Sequence, residues 1–189
     1  MNHYKLGNEN ISPINPKNSV AAENGTIWIA DFTNAMAKVT SDQVEQIRLN
    51  SPMDNSIYSL HQFGSHLWVT PGGTKGFEFP RFQRLVNDQW VYFTINNHPE
   101  LDGFRNIISI VEDPANANHF FVASWGGGLL EYNNDQFIKR YTNLNSPLLT
   151  ALPNEPEAQY VKFGGMDFDS QGNLWMTNAE FAQNLHMLT

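Results

Sequence analysis

Seven residues near the C-terminus, Asp167-Phe168-Asp169-Ser170-Gln171-Gly172-Asn173, come closest to a chemical motif in this 189-residue chain. Oxygen-bearing side chains alternate there and a glycine permits a sharp turn, a partial echo of a calcium loop. The bidentate glutamate that such a loop needs at its twelfth position is missing, because Asn178 stands there. The simpler reading is a strand that ends at Asp169, a turn over Ser170 to Gly172, and a new strand beginning at Leu174-Trp175. No metal ligand is therefore assigned.

Other reactive constellations fail on spacing. Glycines cluster at Gly72-Gly73, Gly126-Gly127-Gly128 and Gly164-Gly165, but none is followed by the Lys and Ser or Thr of a phosphate-cradling loop. Tight turns and close approach of backbones explain them better. His3, His61, His66, His98, His119 and His186 never fall at paired metal-ligand spacing and read as loop or edge residues. There is no Gly-x-Ser-x-Gly elbow and no Ser-x-x-Lys pair, and with zero cysteines thiolate nucleophiles, disulfides and Cys-based zinc sites are excluded. Carboxylate pairs that would cleave a glycoside meet only in a folded structure, so they stay open. No catalytic, cofactor-binding or metal-binding residue is assigned.

Aromatic residues are the remaining candidates. Trp28, Trp68 and Trp175 share one phase of their strand patterns, which predicts that all three are buried between packed sheets. Trp125 differs, because it ends its strand beside three glycines at a loop rim. It is the one candidate for a ligand or partner contact, against a plain packing role.

The elements that position these residues repeat. Ser41-Asp42-Gln43-Val44, Asn87-Asp88-Gln89-Trp90 and Asn134-Asp135-Gln136-Phe137 place their aspartates 46 and 47 residues apart. Each follows an apolar run and precedes an alternating one, the pattern of a hairpin turn. Asn50-Ser51-Pro52, Asn97-His98-Pro99 and Asn145-Ser146-Pro147 keep the same period and mark crossings between repeats, since proline stands where a strand has ended. Strand cores recur at Ile27-Trp28-Ile29-Ala30, Leu67-Trp68-Val69-Thr70, Phe120-Phe121-Val122-Ala123 and Leu174-Trp175-Met176-Thr177. Both faces of these cores are apolar, as a strand needs only in a sheet covered on both sides.

A period near 47, four short strands per period and two-sided burial select an all-β fold, a β-propeller segment of about four four-stranded blades. The repeats run over about 12–49, 57–95, 107–141 and 160–189 within one segment, 1–189. The second carries an insertion around Gly76 to Arg84. The third is clearest, with strands expected at Ile107 to Glu112, His119 to Trp125, Leu129 to Tyr132 and Phe137 to Tyr141. The fourth stops without an outer strand. Either residues 1 to 10 return to complete it, or two chains associate, or the sequence is a piece of a larger propeller, which is the favoured reading.

Composition limits the partners. Apolar residues at 41% and aromatics at 13% exclude a disordered chain. The formal charge of −8, with no basic run, argues against nucleic acid. No apolar stretch is long enough to cross a bilayer, and Met1 to Asn10 is polar, without a signal-peptide core.

Asp169-Ser170-Gln171-Gly172-Asn173-Leu174-Trp175-Met176-Thr177-Asn178 resembles the signature strand pair of two-component-regulator-type propeller repeats, and Trp125-Gly126-Gly127-Gly128-Leu129-Leu130-Glu131-Tyr132 their glycine-rich step. With the Asn145-Ser146-Pro147 crossing, the order of these motifs resembles more narrowly the PorZ family of surface propellers in type IX secretion. The likeness is specific over about Asn106 to Asn178 and weaker before it. It implies export to the cell surface or periplasm, a sortase and other proteins of a secretion complex as partners, anionic lipopolysaccharide as a ligand, and no catalysis. The expected function is accordingly a non-catalytic surface-assembly segment that binds protein or glycan. The alternatives are a periplasmic sensor propeller of a hybrid two-component regulator that binds oligosaccharide, and a propeller lyase or glycosidase. Open blade faces and edges add self-association to the expectations.

Overall fold

Apolar alternation on both faces of short segments, broken every few residues by Asn, Asp and Gly, yields fifteen strands and two short 3-10 turns among the described residues of a computed structural model of the chain. The structure describes residues 16–31, 35–41, 43–47, 50–53 and 56–189. The expectations for Met1 to Asn15, for His3 and for Asp42 lie outside the described residues. Contacts divide the chain into two compact units, Met1–Ser51 and Pro52–Thr189.

The first unit holds one antiparallel sheet, in the order β1 (Pro16–Ala21), β2 (Ile27–Asp31), β3 (Ala35–Val39) and β4 (Val44–Ile47). Trp28 lies on β2, paired with Val20 and Lys38. It is only half-buried, with the Lys38 ammonium 5.9 Å from its ring centre.

Three sheets make up the second unit. One contains β5 (Ser59–Phe63), β6 (His66–Thr70), β7 (Arg81–Val86) and β8 (Gln89–Thr94), and the next β9 (Ile107–Asp113), β10 (Asn116–Ser124), β11 (Leu129–Asn133) and β12 (Gln136–Tyr141). The last has three strands, β13 (Phe163–Phe168), β14 (Leu174–Asn178) and β15 (Leu185–Leu188). Every sheet is a meander in chain order. The sheets are the blades expected from the repeats, and the third repeat falls within a few residues of its expected strands. In the second, the insertion is a loop from Pro71 to Pro80 ahead of β7.

The repeated turns have the geometry their residues suggest. Asn87 and Asp88 have φ of 49° and 57°, and Asn134 and Asp135 have 51° and 60°. Positive φ at both central residues is the type I′ hairpin turn, whose twist matches the strands it joins. The crossings are closed by their asparagines. Asn97 Oδ1 accepts the Thr94 N–H at 2.9 Å while its Nδ2 donates to Tyr92 O at 2.7 Å. Asn145 repeats this with Thr142 N–H at 2.9 Å and Arg140 O at 2.8 Å.

Both faces of β10 are buried from Phe120 to Ser124. Phe120 and Val122 join Trp68, Phe82, Phe93 and Tyr132 in one core, whereas Phe121 and Ala123 join Val161, Phe163, Leu174 and Met176 in the other. Trp68 is the centre of the first, with ring centres of Phe82, Phe93 and Phe120 within 4.6–5.9 Å. The expectation that Trp175 is buried is corrected: it is 37% exposed. Leu174 and Met176 face the preceding sheet, so Trp175 between them faces the other way, where no other strand of this unit covers it.

Candidate functional site

The glycine-rich connections and the crossings between sheets meet in a belt of backbone hydrogen bonds. Gly72 N–H donates to Ile107 O at 2.9 Å, Trp125 N–H to Asn106 O at 2.9 Å, Gly128 N–H to Val161 O at 3.1 Å and Ala179 N–H to Lys162 O at 2.8 Å. Trp125 also forms an isolated antiparallel bridge with Lys162. Glycine is required at the tightest contact, since a Cβ on Gly72 would lie 1.9 Å from Ile107 O. The belt fixes the inner ends of three sheets to one another, and side chains that leave it start from a rigid base.

Aromatic rings and cations alternate along this rim. The Lys162 ammonium sits 5.3 Å from the centre of the Trp125 ring and 5.2 Å from that of Tyr160, and also pairs with Glu180 at 2.8 Å. Arg105 lies 4.1 Å over Phe77, and Arg140 lies 5.4 Å from the ring of buried Phe104. Such pairs hold a flat apolar surface beside a positive charge. Trp125 is half-buried, with part of its ring against the second core, and so combines packing with access to solvent.

At the turn ends of β5, β9 and β13 a cleft of about 630 Å³ is lined by Phe63, His66, Glu112, Asp113, Asp167 and Phe168, among others. Glu112 is 5% exposed, and its Oε1 accepts from His66 Nδ1 and from Trp68 Nε1, both at 2.6 Å. The carboxylate thus serves the joint between two sheets. Its neighbour His119 bridges Asp113 at 3.0 Å and Glu131 at 2.9 Å. Burial works against the charged imidazole, but the bonds to the two carboxylates outweigh it and raise the His119 pKa above its ordinary value. His66 and His119 stand on interior strands, a correction to the expectation of loop or edge histidines. Nothing in the sequence near Glu112 announces its role, because both partners lie more than 40 residues away.

The calcium-like segment is a closed turn. Asp169 Oδ1 accepts the N–H groups of Gln171 and Asn173, and Oδ2 accepts from Asn173 Nδ2 and Trp175 Nε1, all at 2.8–2.9 Å. These donors, with the Asn173 side chain first, hold the Asp169 carboxyl down at about 2. Its oxygens are occupied by the chain itself. Among the described residues no group of three or more His, Asp or Glu is arranged to hold a metal ion, and no helix is long and apolar enough to cross a membrane.

No protein-family model matches the sequence, and no curated protein is matched by it. Among solved structures, the chain is similar to PorZ, an essential bacterial surface component of the type-IX secretion system of Porphyromonas gingivalis. The TM-score is 0.66 at 23% identity, over 88% of this chain and 23% of that one. The extracellular domain named for a hybrid two-component system of B. thetaiotaomicron follows, with a TM-score of 0.46 at 15% identity over 90% of this chain and 22% of that one. The likeness to PorZ shows a shared fold, as the repeat and the glycine step led us to expect. The chain spans less than a quarter of the length of either structure.

Proposed function

We propose that the chain is a non-catalytic binding segment of a PorZ-like surface-assembly protein, placed at the cell surface or in the periplasm, with Trp125 as a partner contact. The observation that carries this reading is the rim: Trp125 and Tyr160 share one cation, Lys162, on a base of interlocked backbone hydrogen bonds. A pre-ordered aromatic surface suits a glycan such as lipopolysaccharide, or a protein of the secretion complex such as a sortase.

The test is calorimetric titration of the chain with purified lipopolysaccharide and with its deacylated core oligosaccharide. Saturable binding is expected, weakened about tenfold by Trp125→Ala, in keeping with loss of a stacked, partly desolvated contact. Far-UV circular dichroism confirms that the variant is folded. Absence of binding to both ligands sinks the glycan reading, and an unchanged affinity in Trp125→Ala removes that residue from the site.

A further inference from the structure

The insertion between β6 and β7 presents an aromatic surface that the fold does not need. Its ten residues, Pro71 to Pro80, compare with four, Trp125 to Gly128, at the corresponding step between β10 and β11. Insertions that keep their own order in a repeat protein are where binding surfaces arise.

This loop is held firmly. Glu78 N–H donates to Asn106 Oδ1 at 2.7 Å, Asn106 N–H to Glu78 O at 3.3 Å, and Asn106 Nδ2 to Gly76 O at 3.2 Å. Asn106 is 5% exposed and adopts φ of +50°, a left-handed conformation that asparagine tolerates better than most residues. The Glu78 carboxylate lies 3.7 Å from Arg81 Nη2, and Arg81 Nη1 donates to Phe79 O at 3.2 Å.

Phe77 and Phe79, on either side of Glu78, project from this frame. They are 51% and 72% exposed, with ring centres 5.7 Å apart at 80°. Arg105 stacks on Phe77 and makes no ion pair among the described residues. Aromatics and arginine, ordered in advance and left in water, have the composition of a protein-interface core. The two rings meet edge to face and offer no shared plane for a sugar, and phenylalanine has no polar group to bond hydroxyls. An aliphatic side chain fits the angle between them. The guanidinium beside them selects a carboxylate, on a chain whose overall charge of −8 otherwise repels one.

We propose that Phe77, Phe79 and Arg105 form a docking surface for a partner protein's extended segment in which a large aliphatic residue stands next to an acidic one. The surface is separate from the Trp125 contact, so either can fail while the other stands.

Titration of the ¹⁵N-labelled chain with acetyl-Leu-Asp-Leu-Asp-Leu-amide, followed by NMR, tests the proposal. The expected result is saturable shifts of the Gly76 to Phe79 amides and the Arg105 side chain, with a Kd of roughly millimolar order for so short a probe. Phe79→Ser abolishes those shifts, Arg105→Gln weakens binding about tenfold, as for one lost charge-assisted contact, and Trp125→Ala leaves it unchanged. Both substituted side chains are exposed, so neither variant should alter the circular dichroism spectrum. The proposal is overturned if the peptide with Lys in place of Asp binds equally well, if the shifts centre on Trp125 and Tyr160, or if the loop amides do not move.

Discussion

Among single side chains, Trp68 and Trp175 occupy the same phase of their strands yet differ in what surrounds them. Trp68→Ala should cost roughly 3–5 kcal/mol, since it empties a fully packed site. Trp68→Phe fills most of that space but removes one of two donors from buried Glu112, for a loss of about 1–3 kcal/mol. Trp175→Ala, on an uncovered face, should cost no more than about 1 kcal/mol. Urea titrations of the three variants check this order, and a Trp175→Ala loss equal to that of Trp68→Ala would show that its face is covered. His119 supplies a prediction in pH. Its folded pKa is raised, so its contribution to stability is fully present below the unfolded value of about 6.5 and is lost as pH rises through the folded value. NMR titration of the His119 ring should give a pKa above 6.5, and His119→Gln should remove that part of the pH dependence. A ring that titrates at or below the ordinary value would contradict the bridge to Asp113 and Glu131.

The turns and crossings show which elements could be read from local sequence. Asn87-Asp88 and Asn134-Asp135 were legible because the two-residue hairpin needs positive φ, which those residue types tolerate. The Asn-x-Pro crossings were placed by their prolines, although the asparagine carries the bonds: Asn97→Ala and Asn145→Ala each leave backbone groups of the preceding outer strand unpaired. Each should lower stability by about 1–2 kcal/mol in the same urea assay. The turn at Asp169 was also local, with all of its partners within six residues. Because those partners fill its oxygens, a chelator should leave the thermal midpoint where it is. A fall of several degrees, reversed by calcium, would instead make Asp167 and Asp169 metal ligands. The rim was legible at Trp125 and in the glycines read as close approaches of backbone, of which Gly72 is one. Asn106, Glu112 and Lys162 depend on partners 16 to 46 residues away, and no alternation or turn residue encodes such a pairing. Trp175 was misjudged for a related reason: strand phase shows which way a side chain points and leaves open whether anything covers it.

In the molecule as a whole, the last sheet leaves Trp175, Leu185 and Met187 in solvent, the latter two 61% and 50% exposed. An apolar sheet face beside a strand edge that no described strand pairs favours association. Light scattering coupled to size exclusion should find a dimer or larger species, shifted toward monomer by Leu185→Lys with Met187→Glu. A wild-type monomer at all concentrations would contradict this. The expectation that 1–189 behaves as one segment predicts a single thermal transition, whereas two would assign Met1–Ser51 and Pro52–Thr189 separate stabilities. The order of strands has a further consequence, in time. Among the described residues, each strand pairs within its sheet only with strands next to it in the chain, so no sheet has to wait for a distant segment before it closes. The loops that must be closed to pair strands are short, which lowers the entropic barrier that makes most all-β proteins slow. A chain emerging N-terminus first can complete each sheet within about fifty residues of starting it, and so leaves few strands without a partner at any moment of synthesis.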